Sequence, residues 1–285
     1  MPAPDSLTSA RIVGAMSTPP RVVSAFIDAD ITGTSEIELQ IAVAKLPGLD
    51  LDETLEIFLD GNPVDPEELS SNVGGRIHRL SATDSKLTVA YRAGVSGQAA
   101  PQPALPLDRS TYLRPSRYAD SDRMFGFVAG QFALDQTPAA LARDIAGFVS
   151  ERLIYEPGSS TPTDGAADTL LGGAGVCRDY SHLTVALLRA ANIPARLVAV
   201  YAPGCDPMDF HAVTEVLYDG HWHCLDTTAL APRQSLLRIA TGRDAADTAF
   251  LDNHGGMLSL NAATVTAVVD GDLPIDNGAE DIAIR

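Results

Sequence analysis

Cysteine is scarce in this chain. Only three occur in 285 residues, at 177, 205 and 224, and no two have C-x-x-C spacing. An odd, unpaired set argues against a disulfide framework and suits free thiols in a reducing compartment. Cations are also in short supply: 20 Lys and Arg stand against 37 Asp and Glu, a formal net charge of −17. A field of that sign repels phosphate, so binding to nucleic acid or to an anionic membrane surface is not expected. No stretch approaches eighteen consecutive apolar residues, and no membrane span is expected. The opening "MPAPDSLTSARIVGAMSTPPRVV" lacks an apolar core behind a basic stretch, so it does not read as a secretory signal. These absences together predict a cytoplasmic protein. No internal repeat is present.

What the chain does have is ample material for a core. Hydrophobic residues make up 45% of it, enough for one large domain or two ordinary ones. Residues 21–93 read as β-rich. "RVVSAFIDADI" (21–31), "SEIELQIAVA" (35–44) and "KLTVAYRA" (86–93) alternate apolar and polar residues, with turn-like breaks at 59–65 and 71–76. A small antiparallel sandwich is expected there, after an N-terminal extension over 1–20. Residues 94–110, "GVSGQAAPQPALPLDRS", have the Gly, Ala and Pro content of a linker.

Beyond the linker, over 111–285, the texture changes to helices followed by antiparallel strands, an α+β domain. "SDRMFGFVAGQFA" (121–133) can form a helix. "TPAALARDIAGFVSERLIYEPG" (137–158) is a stronger candidate, with Thr137 as N-cap and Pro138 at the first helical position. A third helix begins at Cys177 and ends at Asn192 and Pro194. Strands follow over 195–202, 211–218 and 221–226, and again near 264–270.

Cys177 stands after "GGAG", at the mouth of its helix. A thiol is nucleophilic as thiolate, and a helix N-terminus and a nearby imidazolium both favour that form. Asp219–Gly220 between two strand-like runs is a two-residue hairpin signal. That turn sets Tyr218 opposite His221 and Val213 opposite Asp226. His211 and Asp226 then become diagonal neighbours on one sheet face, roughly 7–8 Å apart. A carboxylate so placed holds an imidazole in one tautomer and stabilises imidazolium. Cys177, His211 and Asp226 thus form a Cys-His-Asp set for acyl transfer, and the Cys177 N–H can serve an oxyanion.

Three blocks in this order, "GVCRDYSHLTVALLRAANIPARLV" (175–198), "DFHAVTEVLYDGHWHCLDTT" (209–228) and "RIATGRDAADTAF" (238–250), together with "YLRPSRYADSDR" (112–123), resemble the bacterial branch of the transglutaminase-like superfamily of papain-related cysteine enzymes. The resemblance implies a papain/transglutaminase-like catalytic domain, helices on an antiparallel sheet, behind an N-terminal β domain. It implies Cys177 as nucleophile, His211 as acid/base and Asp226 as orienting carboxylate. Two departures stand out: His211-Ala212-Val213 where the family often has His-Ala-Trp, and Asp226-Thr227-Thr228 where it often has Asp-Pro-Thr. Neither removes a catalytic atom; the first alters packing beside the imidazole.

Other residues carry weaker signals. Trp222, on the face of Asp226, and Arg243, in "TGRDAAD", are candidate substrate contacts. For Arg243 an ion-paired loop is the competing reading. Asp179 is expected to favour the helix N-terminus, and His182 to be structural or exposed. His221, His223 and Cys224 invite a zinc reading, but strand alternation turns the two histidines away from Cys224, and no metal or other cofactor is expected. The resulting expectation is a cysteine-dependent protease or amidase, or an acyltransferase, acting on a peptide or amide through an acyl-enzyme, with hydrolysis favoured over transamidation. The alternative is a catalytically inactive binding module on the same fold.

Overall fold

The computed structural model describes residues 19–285. Residues 1–18, most of the expected N-terminal extension, lie outside the described residues. Strands β1 (Arg21–Leu39), β2 (Leu49–Leu59), β3 (Asn62–Pro63), β4 (Glu67–Ser70) and β5 (Arg76–Gly97) open the chain. Then come α1 (Asp108–Tyr112), α2 (Phe125–Gln131), α3 (Pro138–Arg152), β6 (Ile154–Tyr155), α4 (Ala166–Gly172), β7 (Ala174–Gly175) and α5 (Cys177–Ala190). Strands β8 (Ala195–Tyr201), β9 (Phe210–Tyr218), β10 (His221–Leu225), β11 (Leu237–Gly242) and β12 (Leu251–Val269) complete it.

The first unit is all-β, as the alternation predicts, but its strands hydrogen-bond as one six-stranded sheet, with β12-β1-β5-β2-β3 in order and β4 against β5. The two strands expected over 21–44 are a single 19-residue strand over 21–39. The break between them is a bulge: the register with β5 slips between Ile31 and Thr34. Gly33, at φ 77°, takes the left-handed turn there, and its N–H donates to Asp84 Oδ1 at 2.7 Å. Val23, Ala25, Ile27, Ala29 and Ile31 on one side of the bulge, and Ile37 and Leu39 on the other, are all buried. One face therefore stays inward along the whole strand.

Two boundaries move. The C-terminal strand expected at 264–270 runs from Leu251 to Val269 and pairs along β1, from Arg21↔Val269 to Leu39↔Leu251. Residues 251–269 thus belong to the first sheet and not to a catalytic unit spanning 111–285. The expected linker is also no free tether: 94–97 are still β5, and the rest is tied down. The Gln98 N–H donates to Gly48 O, the Ala104 N–H to Gly220 O, and Ala99 is buried.

The second unit sets α5 against a four-stranded antiparallel sheet, β10-β9-β8-β11. Leu183, Val185, Ala186, Leu187 and Leu188 help to bury α5 from Asp179 to Arg189, with α3 and α4 packed on it. Thr137 caps α3, accepting from the Ala140 N–H at 3.3 Å, and Pro138 takes the first position. The two units share a core. Tyr201, Leu237, Ile239 and Ala240 of the second sheet cluster with the apolar face of β1 and β5. Backbone bonds from Ala44 N–H to Arg238 O and from Gln40 N–H to Phe250 O join them.

Candidate active site

Two local devices place Cys177. At Gly175 a Cβ would lie 2.6 Å from the Asp179 Cβ, so only glycine lets the chain enter α5 this tightly. Asp179 then folds back, and its Oδ2 accepts from the Val176 N–H at 2.9 Å, the electrostatic support expected of it. Arg178 neutralises the other oxygen, Nη2 to Oδ1 at 3.0 Å. One turn on, Ser181 Oγ donates to the Ala212 carbonyl at 3.0 Å, and Thr214 Oγ1 donates to the Ser181 carbonyl. These bonds staple the head of α5 to β9 beside His211. Cys177 is part-exposed, whereas Cys205 and Cys224 are buried, and burial pushes both of those thiols up.

The hairpin fixes the other two residues. Asp219 and Gly220 both have positive φ, 51° and 78°, as a two-residue turn of the primed kind requires. The register is Tyr218↔His221, Leu217↔Trp222, Glu215↔Cys224 and Thr214↔Leu225, as the sequence predicts. His211 Nε2 meets Asp226 Oδ2 at 2.9 Å, with both side chains no more than 2% exposed. Nδ1 is left as the ring nitrogen facing Cys177.

Burial disfavours the imidazolium, but the Asp226 charge and hydrogen bond outweigh it, with a further contribution from Cys177, and the His211 pKa lies well above the usual histidine range. Burial likewise opposes the Asp226 carboxylate. His211 and two bonds from Thr228 hold it below the usual range. Those bonds, from the Thr228 N–H at 3.0 Å and its hydroxyl at 2.6 Å, both reach Oδ1. Thr228 is thus the residue that aims Asp226. Sequence reading passed over it, although an Asp followed two residues later by Thr is an Asx-turn signal.

Tyr155 is another residue the sequence reading missed. Its strand β6 runs parallel to β7, Tyr155↔Gly175, and its ring packs 6.0 Å from Tyr180 of α5. Burial, then the nearby sulfurs of Cys177 and Cys205, push its hydroxyl up, while the Cys177 N–H beside it works the other way.

Cys177 and His211 line a cleft of about 690 Å³, walled by Leu197, Ala199, Phe210, Ile239 and Phe250. Trp222 is not in it. The indole is fully buried, donating to Asp108 Oδ2 at 3.1 Å with the Arg196 guanidinium 3.8 Å over its ring. Alternation puts Trp222 on the expected face, but β10 is the far strand of the sheet and α1 covers it there. Arg243 is absent from the cleft lining too. It is exposed and bound bidentately by Asp247, Nε–Oδ2 2.8 Å and Nη2–Oδ1 2.9 Å, the arrangement of an ion-paired loop. Its neighbours Ala245 and Ala246 do line the cleft. They hang on Asp244, which accepts from Tyr118 N–H and Ala246 N–H, and on His182, which accepts from Ala245 N–H at 3.1 Å. His182 is wholly buried, and its pKa is lowered by that burial to about 4, so it acts as a neutral structural acceptor.

Residues 127–227, which span Cys177, His211 and Asp226, match the profile of the transglutaminase-like superfamily. Over those residues the chain is similar to a transglutaminase-like domain. A crystal structure of a candidate cysteine protease from Cytophaga hutchinsonii is similar over 95% of this chain and 96% of its own, with a TM-score of 0.83 and 28% identity. The first sheet is therefore part of an architecture shared with that structure. An uncharacterised protein of Mycobacterium leprae is 28% identical over 165 residues, 55% of this chain and 58% of that protein. One from Mycobacterium bovis is 32% identical over 101 residues, 34% of this chain and 32% of that protein. The chain thus spans less than two thirds of the length of these curated relatives.

Proposed function

We propose that this protein is a cysteine-dependent amide hydrolase. The observation that carries the reading is the buried His211–Asp226 pair, 2.9 Å apart, facing a part-exposed cysteine at a helix mouth in one cleft. The buried carboxylate holds the imidazole in one orientation and favours its charged form, as proton exchange with a thiol and a leaving amine requires.

In the proposed cycle the Cys177 thiol gives its proton to His211 Nδ1 and its sulfur adds to the amide carbonyl, and the carbon–oxygen π pair moves to oxygen. The Cys177 N–H and the Tyr155 hydroxyl donate to that oxyanion. As the intermediate collapses, the C–N bond breaks and His211 Nδ1 gives its proton to the leaving amine, leaving a thioester. His211 then takes a proton from water. The resulting hydroxide equivalent adds to the thioester carbonyl, the C–S bond breaks to release the acid, and His211 returns its proton to the sulfur to restore the starting thiol. Hydrolysis is favoured over transamidation because Cys177 is part-exposed and the rim residues Asp209 and Asp252 are exposed, so water reaches the thioester directly.

The test is turnover of quenched-fluorescent peptides, with mass spectrometry of rapidly acid-quenched enzyme for the acyl adduct on Cys177. Tyr155→Phe, which keeps the ring, is expected to lower kcat about 100-fold with little change in KM. Equal kcat for the variant would remove Tyr155 from the oxyanion site, and an adduct on any other residue would overturn the assignment of the nucleophile.

A further inference from the structure

The cleft has an apolar wall and a charged rim, and the two together describe a ligand. Phe210 and Phe250 stack with ring centroids 5.0 Å apart and planes at 23°. Tyr201 backs Phe210 at 5.7 Å. Both phenylalanines are only part-buried and line the cleft with Ile239 and Leu197, so aromatic surface remains open for an apolar side chain.

Each phenylalanine has a carboxylate close by in sequence that also lines the cleft: Asp209 beside Phe210, and Asp252 two residues past Phe250. Both are exposed, and neither has a cation within 4.0 Å among the described residues. Each accepts one local backbone bond, Asp209 from the Phe210 N–H at 2.7 Å and Asp252 from the Asn253 N–H at 2.8 Å. Asp252 stands directly across from Glu38 on β1, whose carboxylate is taken up by Arg79 at 2.6 Å, so Asp252 itself is the uncompensated charge at that edge. Among the described residues the one cation in the lining is Arg178. Its guanidinium is already engaged by Asp179, Ser160 and the Thr161 carbonyl. The cleft therefore has surplus negative charge, within a chain of formal net charge −17.

We infer that the substrate is a peptide bearing an apolar side chain flanked by lysine or arginine, the apolar group lying on the Phe210–Phe250 pair and the cation meeting Asp209 and Asp252. This rests on the amide-cleaving reading above. Like charge at the rim rejects acidic peptides, so discrimination comes from repulsion as well as attraction.

The experiment compares three quenched-fluorescent peptides: phenylalanine flanked by lysines, phenylalanine flanked by glutamates, and glycine flanked by lysines. The lysine–phenylalanine peptide is expected to have a kcat/KM at least about tenfold above the glutamate one, a gap that shrinks with added salt. Replacing phenylalanine by glycine should cost about 100-fold. The double variant Asp209→Asn/Asp252→Asn should bring the lysine and glutamate peptides to within about twofold, while the preference for phenylalanine over glycine persists. Equal cleavage of all three peptides by the wild-type protein would overturn the inference and leave the amide reading standing. Cleavage of none, with Cys177 still reactive toward iodoacetamide, would overturn both.

Discussion

Cys177→Ala is expected to abolish turnover of any amide substrate, and His211→Ala to lower kcat by about four to six orders of magnitude. The double variant should be little worse than either, because the thiol and imidazole act as one unit. The size of the effect follows from the geometry. With Nε2 committed to Asp226 at 2.9 Å, His211 can present only Nδ1 to the sulfur and the leaving amine, and no other imidazole lines the cleft. Asp226→Asn should keep the fold, since Thr228 can still donate to the side-chain oxygen, yet lower kcat about 10⁴-fold by favouring the wrong tautomer. Steady-state kinetics on variants with native circular dichroism read these losses. A Cys177→Ala protein with residual turnover above about 1% would place the nucleophile elsewhere.

Glu215→Ala is expected to be the most destabilising single change in the second sheet, by about 3–5 kcal/mol in urea or thermal melts. Glu215 lies between two arginines, all three about 1% exposed. Arg196 reaches it at 2.6 Å, and so does Arg238. Burial alone would raise its carboxyl, but the two guanidiniums outweigh that and hold it at about 2. Removing the carboxylate leaves two cations buried with no counter-charge. They sit on β8 and β11, which flank the His211 strand on one side, and Arg196 also carries the Trp222 ring. The contrast is Arg243→Ala. Its pair with Asp247 is 52% and 30% exposed, and its loss should cost under about 1 kcal/mol. It should also leave activity unchanged, because Arg243 does not line the cleft. Comparable losses for the two variants would mean that the buried triad is not the keystone described.

The fold and the site were legible to different depths, for physical reasons. The His211–Asp226 pairing was open to sequence reasoning because it depends only on a two-residue turn and strict strand alternation, both local rules. Cys177 was legible because a glycine-rich entry to a helix is a local signal too. The return of 251–269 to β1 was not, since that pairing joins Arg21 to Val269 across nearly the whole chain, and a run whose one carboxylate is Asp252 fits any open sheet edge. The merging of 21–31 and 35–39 into one strand hid behind Gly33, which reads as a turn but forms a bulge. Trp222 was misjudged because alternation gives the face of a sheet but not what covers it. The cleft wall was invisible for a similar reason: Phe210 and Phe250 are forty residues apart in sequence and meet only once β12 leaves the second unit.

Amide turnover on Cys177 requires that it and His211 form a live pair. The most direct test is the alkylation rate of each cysteine by iodoacetamide at pH 6, followed by peptide mass spectrometry, in wild type and His211→Ala. An ordinary thiol is only about 0.3% ionised at that pH, and burial holds Cys205 and Cys224 back further. Cys177 is expected to react about 100-fold faster than either, and His211→Ala to remove most of the advantage. A Cys177 that labels no faster than a cysteine in the unfolded chain, indifferent to His211, would contradict it and make the fold a binding module.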